Sequence, residues 1–81
     1  MTGSACRFHI VVKPSEIIYL NGLIDSYEGI GIMRTEDETA GKVTVYSTTE
    51  YGSVLAELLK SLQKEGMRLT VNCVDHYDKL I

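Results

Sequence analysis

The strongest constraint on the fold is the way in which the spacing of apolar residues changes along the chain. Residues 5–12 are rich in β-branched and aromatic types and stop before Pro14, which predicts a strand. Residues 17–27 then carry apolar side chains at i, i+3, i+7 and i+10, the spacing of one face of an α-helix. Ser15 is the predicted N-cap of this helix, because its hydroxyl can accept a hydrogen bond from a backbone N–H of the first turn.

The second half of the chain predicts a hairpin, another helix and a last strand. Residues 32–47 contain two extended runs joined by a polar loop, and the second run alternates between apolar and polar side chains. A second apolar stripe of helical spacing follows, with Thr48 or Thr49 as its N-cap and Gly66 at its end. Residues 67–74 alternate again and predict the last strand.

The predicted order of elements is β-α-β-β-α-β, the split βαβ arrangement of ferredoxin-like folds. Right-handed crossovers then predict an α+β sandwich, with a four-stranded antiparallel sheet in the order 4-1-3-2 and both helices on one face. The 81 residues suffice for one small domain, so we expect a single ferredoxin-like domain over residues 1–81. The pattern assigns no element to residues 75–81, the C-terminal tail.

Charge and composition argue against several classes of function. The net charge of −3 repels nucleic acid and anionic membranes, which disfavours a general polyanion binder. The apolar runs are far shorter than a membrane span and the N-terminus lacks a leader pattern, so we expect a cytoplasmic protein with no membrane partner. Two cysteines neither make a disulfide framework nor ligate an iron–sulfur cluster.

The segment SYEGIGIMRTED, residues 26–37, contains a Gly-x-Gly motif in the wrong context for a phosphate loop. Such a loop follows a strand and opens a helix, whereas Gly29 and Gly31 follow the predicted helix and open a strand. We predict that Gly29 is the left-handed C′ residue of a Schellman-type helix end, with Ile30 packing back on Ile24. A bulge, or the close approach of another backbone, accounts for Gly31.

The two cysteines raise a metal- or redox-linked protein as one alternative. Strict alternation along the first and last strands puts Cys6 and Cys73 on the helix-facing side of the sheet, where both thiols are predicted to be buried. Because these strands are predicted neighbours, the two thiols come close. His76, with Asp75 or Asp78 nearby in sequence, could join them in a thiolate–imidazole metal site. No CxxC or HxxxH spacing supports ligation, so the favoured interpretation is two structural thiols and no cofactor.

The other face of the predicted sheet raises a second alternative, a binder of single-stranded nucleic acid. Its side chains are those of Arg7, His9, Val11, Thr44, Tyr46, Arg68, Thr70 and Asn72. RNA-recognition domains bind single strands on an open sheet face of basic and aromatic residues. A single tyrosine and the negative net charge disfavour this alternative.

No candidate nucleophile has a visible base, so we expect a non-enzymatic protein without catalytic residues.

In topology the chain resembles ACT-type regulatory domains, which bind small effectors, usually at a dimer interface. Of their binding turn, only the proline is matched, by Pro14. An acid–x–Tyr–acid–Gly segment ends the first predicted helix, and a threonine lies in the second predicted strand: Asp25, Tyr27, Glu28, Gly29 and Thr35. Over residues 10–65 these features are similar to an uncharacterised bacterial family of small domains of unknown function. That family has no assigned activity, so this resemblance implies a fold and supplies no function.

The lead hypothesis is a self-associating regulatory module, expected to be a homodimer, that senses a small molecule or binds another protein. The candidate ligand-binding residues are Lys13, Ser15, Glu16, Tyr27 and Gly29. They fall into two groups at opposite ends of the first helix, so they are alternatives within one protomer. A dimer could bring the two groups together.

Overall fold

The structure, a computed structural model, describes the backbone of residues 2–80 and the side chains of residues 4–76. Two helices and four strands follow one another in the order β-α-β-β-α-β. They are β1 (Thr2–Val12), α1 (Ile17–Ser26), β2 (Ile32–Asp37), β3 (Lys42–Thr48), α2 (Thr49–Lys64) and β4 (Leu69–Leu80). A single 3-10 turn, Pro14–Glu16, joins β1 to α1. In the described part of the chain, no helix is long and apolar enough to cross a membrane.

The four strands form one antiparallel sheet, so the fold is α+β as the sequence predicts. The order across the sheet is β2-β3-β1-β4, which becomes 4-1-3-2 when the strands are counted from the β4 edge. The central pair, β1 and β3, joins residues 5–11 to residues 42–48, and β4 pairs with the whole length of β1. Residues 75–80, which the sequence pattern left unassigned, therefore continue β4.

The buried core lies against one side of β1 and β3. The core-facing residues of these strands alternate along the chain, as the period of two requires: Cys6, Phe8, Ile10, Val12, Val43 and Val45. The helices add Leu20 and Ile24 from α1 and Leu55, Leu59 and Leu62 from α2 to the same cluster. Helix α2 packs so closely on β1 that a Cβ built on Gly52 would lie 3.2 Å from the Cys6 sulfur.

The helix ends follow the sequence prediction in α2 but not in α1. Thr48 caps α2, since its hydroxyl accepts a hydrogen bond from Tyr51 N at 3.2 Å, and Gly66 follows the helix with φ +101°. The prediction that Ser15 caps α1 is wrong. Ser15 lies inside the 3-10 turn, and Glu16 takes the N-cap position without a side-chain hydrogen bond.

Gly29 has the predicted left-handed backbone, but it does not belong to a Schellman-type helix end. Helix α1 stops at Ser26 with Tyr27 as its extended C-cap, two residues before Gly29. Gly29, at φ +80°, is the third residue of a β-turn closed by Ile30 N donating to Tyr27 O at 3.3 Å. A positive φ at that position is what a type II turn requires. Ile30 is buried in the same cluster as Ile24, as predicted.

Gly31 is required by the close approach of β3. A Cβ at this position would lie 2.7 Å from the Tyr46 carbonyl oxygen and 3.0 Å from Val45 Cγ1. The Ser47 hydroxyl also donates a hydrogen bond to the Ile30 carbonyl at 2.5 Å, which holds the start of β2 against β3. The prediction of close approach by another backbone is therefore confirmed for Gly31.

Candidate metal site

A β-bulge in β4 decides which side chains meet on the open face of the sheet. Ile10 of β1 pairs with Val71, and the next residue back along β1, His9, pairs with Cys73. Asn72 is therefore an extra residue without a partner on β1. An extra residue shifts the alternation of side chains by one position, so residues 73–76 of β4 lie on the opposite faces to those that strict alternation predicts.

The bulge overturns the prediction that Cys73 is buried beside Cys6. Cys6 is fully buried in the core, whereas Cys73 is exposed and lies directly across from His9. The two thiols are thus on opposite faces of the sheet, and His76 pairs with Cys6 rather than with Cys73. Of the residues predicted to share the inner face of β4, Leu69 is buried and Val71 is partly buried, because both precede the bulge.

The cluster on the open face consists of His9, Cys73 and Asp75. The His9 Nε2–H group donates a hydrogen bond of 2.7 Å to Asp75 Oδ2. One ring nitrogen of His9, the Cys73 sulfur and a carboxylate oxygen of Asp75 all lie within 4.8 Å of one another. Arg7 borders this cluster, with its Nη2 atom 3.5 Å from Asp75 Oδ2.

The surroundings of Asp75 favour its ionised form. The hydrogen bond from His9 lowers the pKa of the Asp75 carboxyl below its usual value. Desolvation opposes this effect, while the positive charges of His9, Arg7 and His76 add to it. The cluster therefore presents an ionised carboxylate beside the His9 ring and the Cys73 sulfur.

These three side chains are of the kinds that bind zinc. Imidazole nitrogen, thiolate sulfur and carboxylate oxygen bind Zn²⁺ at about 2.0–2.3 Å, and tetrahedral geometry then separates the ligand atoms by roughly 3.5 Å. The ligand atoms lie within 4.8 Å of one another, so the farthest of them must approach by roughly 1 Å to surround an ion. Without a metal ion, the same residues form a cross-strand hydrogen-bonded pair, His9 and Asp75, beside a thiol.

Cys6 has the opposite character to Cys73. Its sulfur donates a hydrogen bond of 3.4 Å to the Thr48 carbonyl, and the side chain is part of the hydrophobic core. Burial raises the pKa of the Cys6 thiol, and a hydrogen bond with Ser47 partly offsets that rise. A buried thiol with a raised pKa is a poor metal ligand and a poor nucleophile.

The candidate effector residues lie at separate places on the surface. Lys13 lines a shallow cavity with Pro14 and residues 67–70, at the start of α1. Tyr27 lines a groove between α1 and α2, and Gly29 lines a third depression beside Tyr46. Helix α1 has ten residues, so its two ends are about 15 Å apart. Ser15 and Glu16 line none of these three cavities.

The open face of the sheet agrees with the sequence prediction on β1, on β3 and at Thr70 of β4, and it differs on β4 from Asn72 onward. The strand pairing forms three rows that cross the whole sheet. The first row is Ile32, Tyr46, Arg7 and Asp75; the second is Arg34, Thr44, His9 and Cys73; the third is Asp37, Lys42, Val11 and Thr70. The alternation of the sequence predicts Arg7 and His9 on this face, but it does not predict Cys73 and Asp75 as their neighbours.

The sequence does contain a signal for the bulge. Strict alternation through residues 69–75 puts the charged Asp75 on the core side and Val74 outside. An extra residue between Val71 and Val74 returns both to suitable faces, with Val74 opposite Phe8 and Asp75 opposite Arg7. Within this strand the apolar residues change from odd-numbered positions, Leu69 and Val71, to the even-numbered Val74. That change indicates a bulge, and with it the position of the cluster.

Comparison with known proteins identifies a family and no function. No curated protein and no solved structure gives a significant match to the chain. The model of a family described as "Domain of unknown function (DUF4911)" matches residues 10–65. The matched segment contains all the residues that carry the resemblance described above, which lie between Asp25 and Thr35. It does not contain His9, Cys73 or Asp75, the residues of the cluster. The match covers more than half of the chain, so the protein belongs to this family of domains of unknown function.

Proposed function

We propose that the protein is a ferredoxin-like domain that binds a divalent transition metal ion, zinc above all, through His9, Cys73 and Asp75. One observation supports the metal site: each of the three side chains offers a ligand atom, and these three atoms lie within 4.8 Å of one another. Support for the ferredoxin-like arrangement, with both helices on one face, comes from the one buried cluster shared by both helices and β1.

The chemistry of the ligand set favours zinc over calcium or magnesium. One nitrogen, one sulfur and one oxygen ligand suit a borderline-soft ion, whereas Mg²⁺ and Ca²⁺ prefer oxygen ligands alone. Three protein ligands leave the fourth tetrahedral position open to solvent or to a bound molecule, as in many zinc sites that interact with a ligand. The ligands come from two paired strands, which hold their backbones at a fixed separation.

Metal titration of the purified, metal-free protein tests the proposal. We expect one equivalent of Zn²⁺ to bind in competition with a chromophoric chelator, and Co²⁺ to give a thiolate-to-metal absorption band. His9→Asn, Cys73→Ser and Asp75→Asn should each weaken Zn²⁺ binding at least tenfold, about 1.4 kcal/mol. The matched controls His76→Asn and Cys6→Ala remove a histidine and a cysteine outside the cluster, so they should leave the affinity unchanged.

The controls also separate this site from the one that the sequence suggested. If His76→Asn and Cys6→Ala weaken binding while His9→Asn and Asp75→Asn do not, the metal binds to the set of Cys6, Cys73 and His76 instead. If the wild-type protein binds no stoichiometric zinc at neutral pH, the cluster is a structural hydrogen-bonded pair beside a thiol and the proposed function is wrong.

A second candidate is a self-associating regulatory or interaction module, and exposed apolar side chains favour it. Ile18 and Tyr19 on α1 are 87% and 56% exposed, and Val54 on α2 is 46% exposed. We propose that a second copy of the chain covers these exposed side chains of α1 and α2. Sedimentation at increasing concentration should show a dimer that Ile18→Ser weakens, with Lys64→Gln as the control. A monomer at all concentrations would contradict this candidate.

Effector binding belongs to the same candidate. A regulatory dimer should show a thermal shift with a member of an amino-acid or nucleotide panel. The shift should decrease in a Lys13 or Tyr27 variant if either candidate residue group contacts the effector. No shift with any member of the panel leaves self-association without a sensing role.

A further inference from the structure

Two arginines flank the metal-site cluster on the open face of the sheet. Arg7 precedes His9 by two residues on β1 and approaches Asp75 to 3.5 Å. Arg34 lies in the same cross-strand row as His9 and Cys73, with Thr44 between Arg34 and His9. Arg34 is two strands away from His9, roughly 10 Å between their Cα atoms, a distance that an arginine side chain and a small bound molecule can bridge.

The burial of Thr44, on the central strand β3, bears on where the neighbouring side chains of the open face lie. Although Thr44 belongs to the open face, only 3% of it is exposed. The side chains of its cross-strand neighbours are longer and can reach over it. Arg34 and His9 are its direct cross-strand neighbours in the row. Their side chains are therefore placed to approach the same space above β3.

The charges around the site favour an anionic ligand. An ionised Asp75 and a Cys73 thiolate together balance the charge of one divalent ion, and Arg7 and Arg34 then add positive charge beside it. The chain as a whole carries −3, so this positive region contrasts with the rest of the molecule. Guanidinium groups match the planar or tetrahedral oxygens of carboxylates and phosphates, which they bind through two parallel hydrogen bonds.

On the basis of the proposed metal site, we infer that the fourth metal position takes an oxyanion, a phosphate or carboxylate group of a small molecule, with Arg34 and Arg7 binding its remaining oxygens. The anion would lie above Thr44, between the metal ion and Arg34. Tyr46 is adjacent to Arg7 in the first row, so an aromatic ring borders the same space. Metal ion and arginines then recognise one ligand from two sides.

Single-stranded nucleic acid is another source of phosphate, but the face fits a small ligand better. The described face offers one aromatic side chain, Tyr46, where a strand of bases needs several stacking partners. The third row also pairs Lys42 with Asp37, which places an acidic group on the path along the sheet. An oligonucleotide that binds no better than inorganic phosphate agrees with the small-ligand inference.

The experiment uses the Co²⁺-loaded full chain and measures its visible absorption during titration with inorganic phosphate and, separately, with acetate. We expect a saturable shift of the metal-centred bands with at least one anion, while the thiolate-to-metal band persists and shows that the metal stays bound. Arg34→Gln should weaken anion binding at least tenfold and leave Zn²⁺ affinity unchanged. Lys64→Gln, which removes a positive charge at the end of α2, should have no effect.

The outcomes separate this inference from the proposed function. If Co²⁺ gives no thiolate band, or Cys73→Ser does not abolish that band, the metal site itself is wrong and the anion inference fails with it. If the metal binds normally but neither anion shifts the metal-centred bands, only the oxyanion inference is overturned. Equal anion affinities in Arg34→Gln and Lys64→Gln also overturn it, since the site would then lack its arginine. If an oligonucleotide binds at least tenfold tighter than inorganic phosphate, the small-ligand inference is overturned and the ligand of this face is nucleic acid.

Discussion

The difference in reactivity between the two thiols tests the β4 bulge on which the candidate site depends. Metal-free native protein should react with a chromogenic disulfide reagent at one thiol per chain, Cys73, and at both thiols after denaturation. Cys6 is 0% exposed and lies on a central strand beneath α2, whereas Cys73 is exposed on the outer face. The bulge alone accounts for that difference, because strict alternation makes both thiols face the core.

The expected magnitude follows from the position of Cys6. β1 pairs with β3 on one side and β4 on the other, so exposing Cys6 requires an opening close to global unfolding. Small domains unfold with about 5 kcal/mol or slightly more, which slows labelling of Cys6 relative to Cys73 by more than about a thousandfold. A local opening of lower free energy reduces this ratio but does not reverse the order of reaction.

Two variants assign the signals. Cys73→Ser should remove the fast phase of labelling and leave a slow phase, and Cys6→Ala should leave the fast phase intact. If Cys73 is protected as strongly as Cys6 in the metal-free protein, β4 has no bulge at Asn72 and the cluster with His9 and Asp75 does not form. If both thiols react fast, the packing of α2 on Cys6 is wrong as well.

Three further variants test predictions about stability. Gly31→Ala should lower the free energy of unfolding by about 1–3 kcal/mol, because the new Cβ would lie 2.7 Å from the Tyr46 carbonyl oxygen. Gly22→Ala on α1 should raise the free energy of unfolding by up to about 1 kcal/mol, since nothing lies within 4 Å of the new Cβ. Denaturant titration measures both variants. Midpoints that shift in the same direction for Gly31→Ala and Gly22→Ala would contradict these two predictions. The lowered pKa of Asp75 stabilises the folded state above the carboxyl pKa of the unfolded chain, and this contribution is lost as the pH falls through the lower pKa of the folded state. Asp75→Asn should therefore lose less stability than wild type between about pH 6 and about pH 3, and an unchanged loss on acidification contradicts the role assigned to the hydrogen bond from His9.

Features that depend on local physics could be predicted from the sequence. Thr48 caps α2 because its hydroxyl reaches a backbone N–H three residues ahead, and Gly66 follows the end of that helix with a left-handed backbone. The failure at Ser15 is also local in origin. Pro14 begins a tight 3-10 turn, so the chain enters α1 one residue later than the cap prediction assumed.

The candidate site could be predicted only in part. Arg7 and His9 were assigned to the open face correctly, because β1 alternates without interruption. Strict alternation through Asn72 does not predict their partners on β4, because Asn72 is an extra residue without a partner on β1. One extra residue exchanged the faces of Cys73 and Asp75, and with them the set of side chains that could hold a metal ion.

The sequence by itself determined the order of helices and strands, the residues that face the core on β1 and β3, and membership of a family without a known function. These properties follow from periodicity and capping, in which each residue acts on neighbours a few positions away. Only the tertiary structure decided that His9, Cys73 and Asp75 meet. Their meeting depends on how two strands more than 60 residues apart align, and a bulge at one residue changes that alignment for all that follow.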